Sequence, residues 1–159
     1  MADLTLEQAQ KRILEAIQEA LWSKSIQEAI IKLHHQAIEE TVYNEYTPTL
    51  YERRYDDGGL LDENNLDFVV DIKPLERDLV MYNSTTGTGM ATTSEKLTEI
   101  IESGIGYDWV KSDIYRYEDI GFPLERPFIQ RTRELIEDNR ELFEDILKKE
   151  LIKNGLKIE

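Results

Sequence analysis

The stretch Val42–Leu61, VYNEYTPTLYERRYDDGGLL, is the most informative in the chain. It gathers four of the chain's eight tyrosines (Tyr43, Tyr46, Tyr51 and Tyr55) around Pro48, the neighbours Arg53 and Arg54, and the double glycine Gly58 and Gly59. Thr47-Pro48 predicts the end of the helical region upstream, because the residue before a proline is driven out of the helical basin. Asp56-Asp57-Gly58-Gly59 predicts a turn. The whole stretch reads as a rigid aromatic connector from a helix to a sheet, of the kind used for docking rather than for catalysis.

Upstream of it, Thr5 to about Val42 reads as one long helix or two consecutive ones. Thr5 and Gln8 form a capping box, in which hydroxyl and amide reciprocally satisfy free backbone N–H groups. Apolar residues then recur at Leu6, Ala9, Ile13, Ile17, Ala20 and Leu21, and again at Ile26, Ile30, Leu33, Ala37 and Ile38, which is the spacing of one apolar helical face. The stripe slips at Ser23-Lys24-Ser25, a weak point for a kink or break. A continuous helix would run about 55 Å, long enough to project from the domain and pack on another subunit.

Downstream, Leu66, Phe68, Val70 and Ile72 alternate with Asp67, Val69 and Asp71, the period-two pattern of a strand with one buried face. Arg77–Asn83 predicts a second short strand, and the segment from Ser84 to Gly89 a polar loop. Ser94 is placed to cap a short helix over 95–102 closed by Gly104. The region 107–117 is aromatic and irregular, with room for a further strand. Pro127 sits at the first turn of a C-terminal amphipathic helix, Phe128 to about Asn154, ended by Gly155. Its apolar face includes Ile129, Leu135, Ile136, Leu142, Phe143, Ile146, Leu147 and Leu151. The expected class is α+β: a long N-terminal helix, a small antiparallel sheet, a short helix and a C-terminal amphipathic helix. Residues 1–159 are read as a single domain, with 1–42 a helix mediating oligomer contacts and 43–159 the α+β core.

Composition narrows the function. Thirty-three acidic against nineteen basic residues give a net charge of −14, which opposes adsorption to nucleic acid or anionic lipid. Such a surface serves solubility, or a surface that nucleic acid must slide past without sticking. No apolar run approaches the roughly 20 residues of a membrane-spanning helix, and the N-terminal segment does not read as a signal peptide. Zero cysteines exclude disulfides, thiolate zinc ligation and a cysteine nucleophile. The expected setting is a cytoplasm.

No constellation in the sequence meets the requirements of an active site. His34 and His35 point about 100° apart on a helix, so they do not readily chelate one metal; His35 and Glu39 share a face, but zinc needs a further ligand. The acids from Asp56 to Asn65 lack the alternating ligand positions and terminal glutamate of a helix–loop–helix calcium site, and read as a solvated turn. The Thr86-Gly87-Thr88-Gly89 loop lacks the Gly-Lys-Ser/Thr of a phosphate cradle. No cofactor or metal is therefore expected, and the protein is read as a non-enzyme. Arg53, Arg54 and Arg126 stand apart, because guanidinium forks suit desolvated contacts with carboxylates. They fit either an interface with acids of a neighbouring copy or an intrachain closure of the connector onto the core.

Together, Val42–Leu61, the segment ESGIGYDW (Glu102–Trp109) and RPFIQRTRELIEDNRELFEDILKKELIKNGLKI from Arg126 onward resemble small virion morphogenesis proteins of tailed phages and prophages of Gram-positive bacteria. The element order is similar to the head–tail joining and tail-completion family. The resemblance implies a small α+β subunit that forms a homo-oligomeric ring at the neck or upper tail, assembled in the host cytoplasm and carried in the virion. It also implies contacts with other neck, portal or tail-tube proteins, and DNA passing without specific binding. Arg126, Pro127 and Phe128 would then anchor the last helix. Tyr51, Arg53 and Arg54, with Tyr43, Tyr46 and Tyr55, would fix the connector or an intersubunit contact. The alternatives are a phage-encoded regulatory or binding protein acting as a monomer or dimer, and a metal-dependent hydrolase using the Asp56–Asp62 cluster.

Overall fold

A computed structural model describes residues 5–45, 53–87, 97–105 and 125–158. Helix α1 spans Leu6–Leu21 and starts at the predicted capping box, with the Thr5 side chain accepting from the Gln8 N–H and Gln8 accepting from the Thr5 N–H. The helical region then breaks at Trp22 and Ser23, where the apolar stripe slips. The Ser23 hydroxyl accepts from the Ile26 N–H and starts α2, Lys24–Ile38. One wider π turn, Glu39–Tyr43, carries α2 to its end at Asn44. Thr47 and Pro48 lie outside the described residues.

A single 3-10 turn, Glu63–Asn65, leads into β1, Leu66–Ile72, which pairs with β2, Arg77–Asn83, in a two-stranded antiparallel hairpin. The four-residue turn Lys73–Glu76 closes it with Lys73 N–H donating to the Glu76 carbonyl at 3.1 Å. The predicted alternation of β1 holds from Leu66 to Val70 and fails at Ile72, which is exposed beside the hairpin turn. Helix α3, Leu97–Ser103, ends at Gly104, whose φ of 69° is the left-handed value that glycine tolerates without cost. The region 107–117 is outside the described residues. The fold class is α+β, as the sequence predicts.

The C-terminal helix differs from its prediction. It is two helices, α4 over Phe128–Asp138 and α5 over Arg140–Lys153, separated at Asn139, whose backbone leaves the helical basin (φ −105°, ψ 25°). Asp138 and Asn139 both have side chains that compete for backbone hydrogen bonds, so the ladder is weakest there. Gly155, at φ 86°, stands just past α5 as predicted.

The chain divides into two compact units: Met1–Ile31, Phe68–Met81 and Ile136–Glu159 form one, and Lys32–Asp67 with Tyr82–Leu135 the other. In the first, α1 packs against α5. The small residues Ala16 and Ala20 are buried on α1, and the Asn154 amide donates to the Ala16 carbonyl. In the second, Ile38, Val42, Leu60, Ile101 and Phe128 form a core flanked by Tyr43, Leu61, Leu97 and Ile129. The connector residues and the start of α4 meet in this second core.

Candidate functional site

The end of α2 delivers Tyr43 to the rim of that core, where the connector returns to meet it. The Tyr43 hydroxyl donates to the Arg54 carbonyl at 3.2 Å, and the Tyr43 carbonyl accepts from an Arg53 Nη1–H at 2.8 Å. The Arg53 guanidinium lies 5.1 Å from the Tyr43 ring centroid, within cation–π range. Tyr55 meets the same ring edge-on at 4.8 Å. Burial pushes the Tyr43 phenol up to about 12, against the opposing charge of Arg53, so it stays protonated and able to donate. Arg54 donates to the Thr86 carbonyl at 2.6 Å. These described contacts of Arg53 and Arg54 are with carbonyl oxygens and an aromatic ring of the same chain. Tyr46 and Tyr51 lie outside the described residues.

The glycines make this return loop tight. Gly58 adopts φ 70°, and its N–H donates to Asp62 Oδ2 at 2.7 Å. A Cβ on Gly59 would stand 2.0 Å from the Arg54 carbonyl oxygen, so no larger residue fits without backbone movement. The other Asp62 oxygen accepts from the Asn64 N–H and side-chain amide, which caps the 3-10 turn. The N–H groups of Asn64 and Gly58 hold the Asp62 carboxyl below the usual carboxylate range. Asp62 is thus committed to holding the turn.

An open cavity of about 740 Å³ lies beside this loop, lined by His35, Glu39, Tyr55, Asp56, Leu61, Asp62 and Glu63. His35 and Glu39 do share a face, as their spacing requires. Burial lowers the His35 pKa, while Glu63 and Glu39 pull it back up. Among the described residues, no group of three or more His, Asp or Glu side chains is placed to hold a metal ion. The cavity wall is acidic and aromatic, which suits contact with a basic group.

Arg126 and Phe128 act at the start of α4. Phe128 is wholly buried and Arg126 nearly so. The Arg126 N–H donates to the Ile101 carbonyl at 2.9 Å, tying α4 to α3. Glu102 then caps α4 from a distance in sequence, its carboxylate accepting from the N–H groups of Ile129 at 2.7 Å and Gln130 at 3.0 Å. Sequence spacing could not reveal this cap, because 27 residues separate Glu102 from Ile129.

Sequence reasoning also missed the polar network around His34, which is 1% exposed. The Thr132 hydroxyl donates to the Phe128 carbonyl at 2.7 Å, leaving its lone pairs to accept from His34 Nδ1–H at 2.9 Å. His34 Nε2 therefore accepts from the Asn83 amide at 3.1 Å, and that amide also donates to the Leu60 carbonyl. Asn83 Oδ1 in turn accepts from the Thr85 N–H and hydroxyl. Burial, assisted by the charge of neighbouring His35, pushes His34 down to about 4, so the imidazole is neutral near pH 7. Its ring packs 5.6 Å from that of Phe128. The sequence gives the adjacent His34 and His35 no shared metal-binding role, and the structure separates them: His34 organises the core while His35 lines the cavity.

A protein-family model described as YomN matches residues 5–153. The SPbeta prophage-derived protein YomN of Bacillus subtilis (strain 168) is 29% identical over 139 residues, covering 85% of this chain and 82% of that protein. A phage origin is supported by this prophage-derived relative. No solved structure matches the chain.

Proposed function

The chain belongs to the YomN family, and on that premise we propose that it is a non-enzymatic structural protein of a tailed-phage particle. In this reading it forms a homo-oligomeric ring at the head–tail junction, in contact with neck, portal or tail-tube proteins, and links capsid to tail. The observation that carries the reading is the set of large apolar side chains left on the surface of the single chain. Leu6 is 86% exposed, Leu75 73% and Ile105 76%, and Trp22, Val69, Ile72 and Tyr82 are also exposed. Single exposed apolar residues are ordinary, but this many in a chain of net charge −14 favours burial in an assembly. Tyr55, exposed beside the acidic cavity, supplies an aromatic anchor of the type concentrated in interface hot spots. The acidic surface would let DNA pass a ring lumen without trapping it.

Commitment of both Asp62 oxygens to turn N–H groups favours this reading over a hydrolase built on the Asp56–Asp62 acids. Metal-dependent activity lost in Asp56→Asn or Asp62→Asn would revive the hydrolase. The deciding experiment is quantitative mass spectrometry of purified DNA-filled particles against the major capsid protein. About 6 or 12 copies per particle, the count of a closed cyclic ring, is the expected result. Absence from particles would overturn the proposal and leave the regulatory or binding protein as the leading reading.

A further inference from the structure

Helix α5 has no fully buried residue, although it carries Leu142, Phe143, Ile146, Leu147, Leu151 and Ile152. One side of it packs on α1. Leu142 and Ile152, at 48% and 50% exposure, lie on another. At about 100° per residue, Leu142, Asp145, Lys149 and Ile152 fall on one narrow stripe, with Glu141 and Lys153 along its flanks. All six are exposed. Their spacing of three, four and three is that of a helix–helix seam.

The charges on this stripe have a direction. Glu141 and Asp145 occupy its N-terminal half, Lys149 and Lys153 its C-terminal half. The helix dipole accounts for Glu141 and Lys153 near the ends, but not for Asp145 and Lys149 in the middle, nor for the two exposed aliphatic side chains. Glu141, Asp145 and Lys149 make no ion pair with any described residue, and the exposed Lys153 pairs with Glu150 at 3.1 Å.

We infer that the outer face of α5 is a self-complementary surface for α5 of a second copy, laid antiparallel across a two-fold axis. Centring the axis between Asp145 and Lys149 sets Leu142 opposite Ile152 of the second copy, Asp145 opposite its Lys149, and Glu141 opposite its Lys153. Every contact then occurs twice, as an isologous interface requires. A parallel pairing would set like charge against like at each of these positions, so the stripe selects one orientation. The seam is short, and the pairing is correspondingly weak in the free protein. The inference does not rest on the particle reading: ring contacts are heterologous, and this one is isologous.

The absence of native cysteine makes the test clean. In the full chain, Leu142→Cys with Ile152→Cys is oxidised and followed by non-reducing gel. On one helix the two positions are about 15 Å apart, too far for an intrachain disulfide. The double variant is expected to form covalent dimer about tenfold faster than either single variant, through the raised effective concentration of paired thiols. Adding Asp145→Lys should abolish that advantage, and adding Asp145→Lys together with Lys149→Asp should restore it. Equal rates for double and single variants, or no response to Asp145→Lys, would overturn the inference. Fast cross-linking of Leu142→Cys alone would do so too, by showing a parallel arrangement. Either failure leaves the copy number in particles untouched, so the two proposals fail separately.

Discussion

His34 is neutral, buried and hydrogen-bonded at both ring nitrogens, and acid should therefore unfold the protein through it. Protonation would place a proton on Nε2, facing the Asn83 amide N–H groups at 3.1 Å, and would add a charge to a site that is 1% exposed. The unfolded chain titrates near 6.5 and the folded chain near 4. Between those values the unfolded state binds the proton and the folded state does not, so stability rises with pH across the window. The His34 contribution is fully present above pH 6.5 and is lost as pH falls toward 4. At about 1.4 kcal/mol per unit of pKa difference, the loss over the window is about 3 kcal/mol. Urea denaturation of the wild type and of His34→Gln, at half-unit steps from pH 7.5 to 4, isolates this residue from His35 and the carboxylates. The stability difference between the two proteins should shrink by about 3 kcal/mol in favour of the variant as pH falls. A difference that stays flat across the window would refute the assignment of His34 as the neutral centre of the network.

Three further substitutions probe the same unit. Gly59→Ala should lower stability by about 2–3 kcal/mol, because its Cβ meets the Arg54 carbonyl at 2.0 Å; an unchanged melting temperature would deny the close approach. Phe128→Ala empties a wholly buried site and should cost about 3–5 kcal/mol in denaturant unfolding, whereas a loss under 1 kcal/mol would place Phe128 outside the core. Glu102→Ala removes an acceptor from two α4 N–H groups and should cost about 1–2 kcal/mol. Amide exchange at Ile129 and Gln130 should accelerate in that variant, and unaltered protection there would exclude Glu102 as the cap.

Local signals carried much of the element pattern. The capping box at Thr5, the strands at Leu66–Ile72 and Arg77–Asn83, and the left-handed closures at Gly104 and Gly155 each depend on residues a few positions apart. They were legible for that reason. The double glycine marked a turn, but its tight approach to Arg54 was invisible, since backbone proximity across the loop leaves no periodic trace. The break at Asn139 was missed because two helix-weakening residues, Asp138 and Asn139, inside a strong apolar pattern look tolerable from the pattern alone.

Periodicity, caps and charge are properties of short windows or of composition, and they are enough to give the α+β class, the order of the elements and the acidic character of the chain. Contacts between distant segments place His34 in the core and His35 on a cavity wall, set Arg53 and Arg54 against carbonyl oxygens, give Asp62 a turn to hold, and make Glu102 the cap of α4. Each depends on which distant residues share a space. Hydrogen-bond direction and burial arise only once the chain has brought them together.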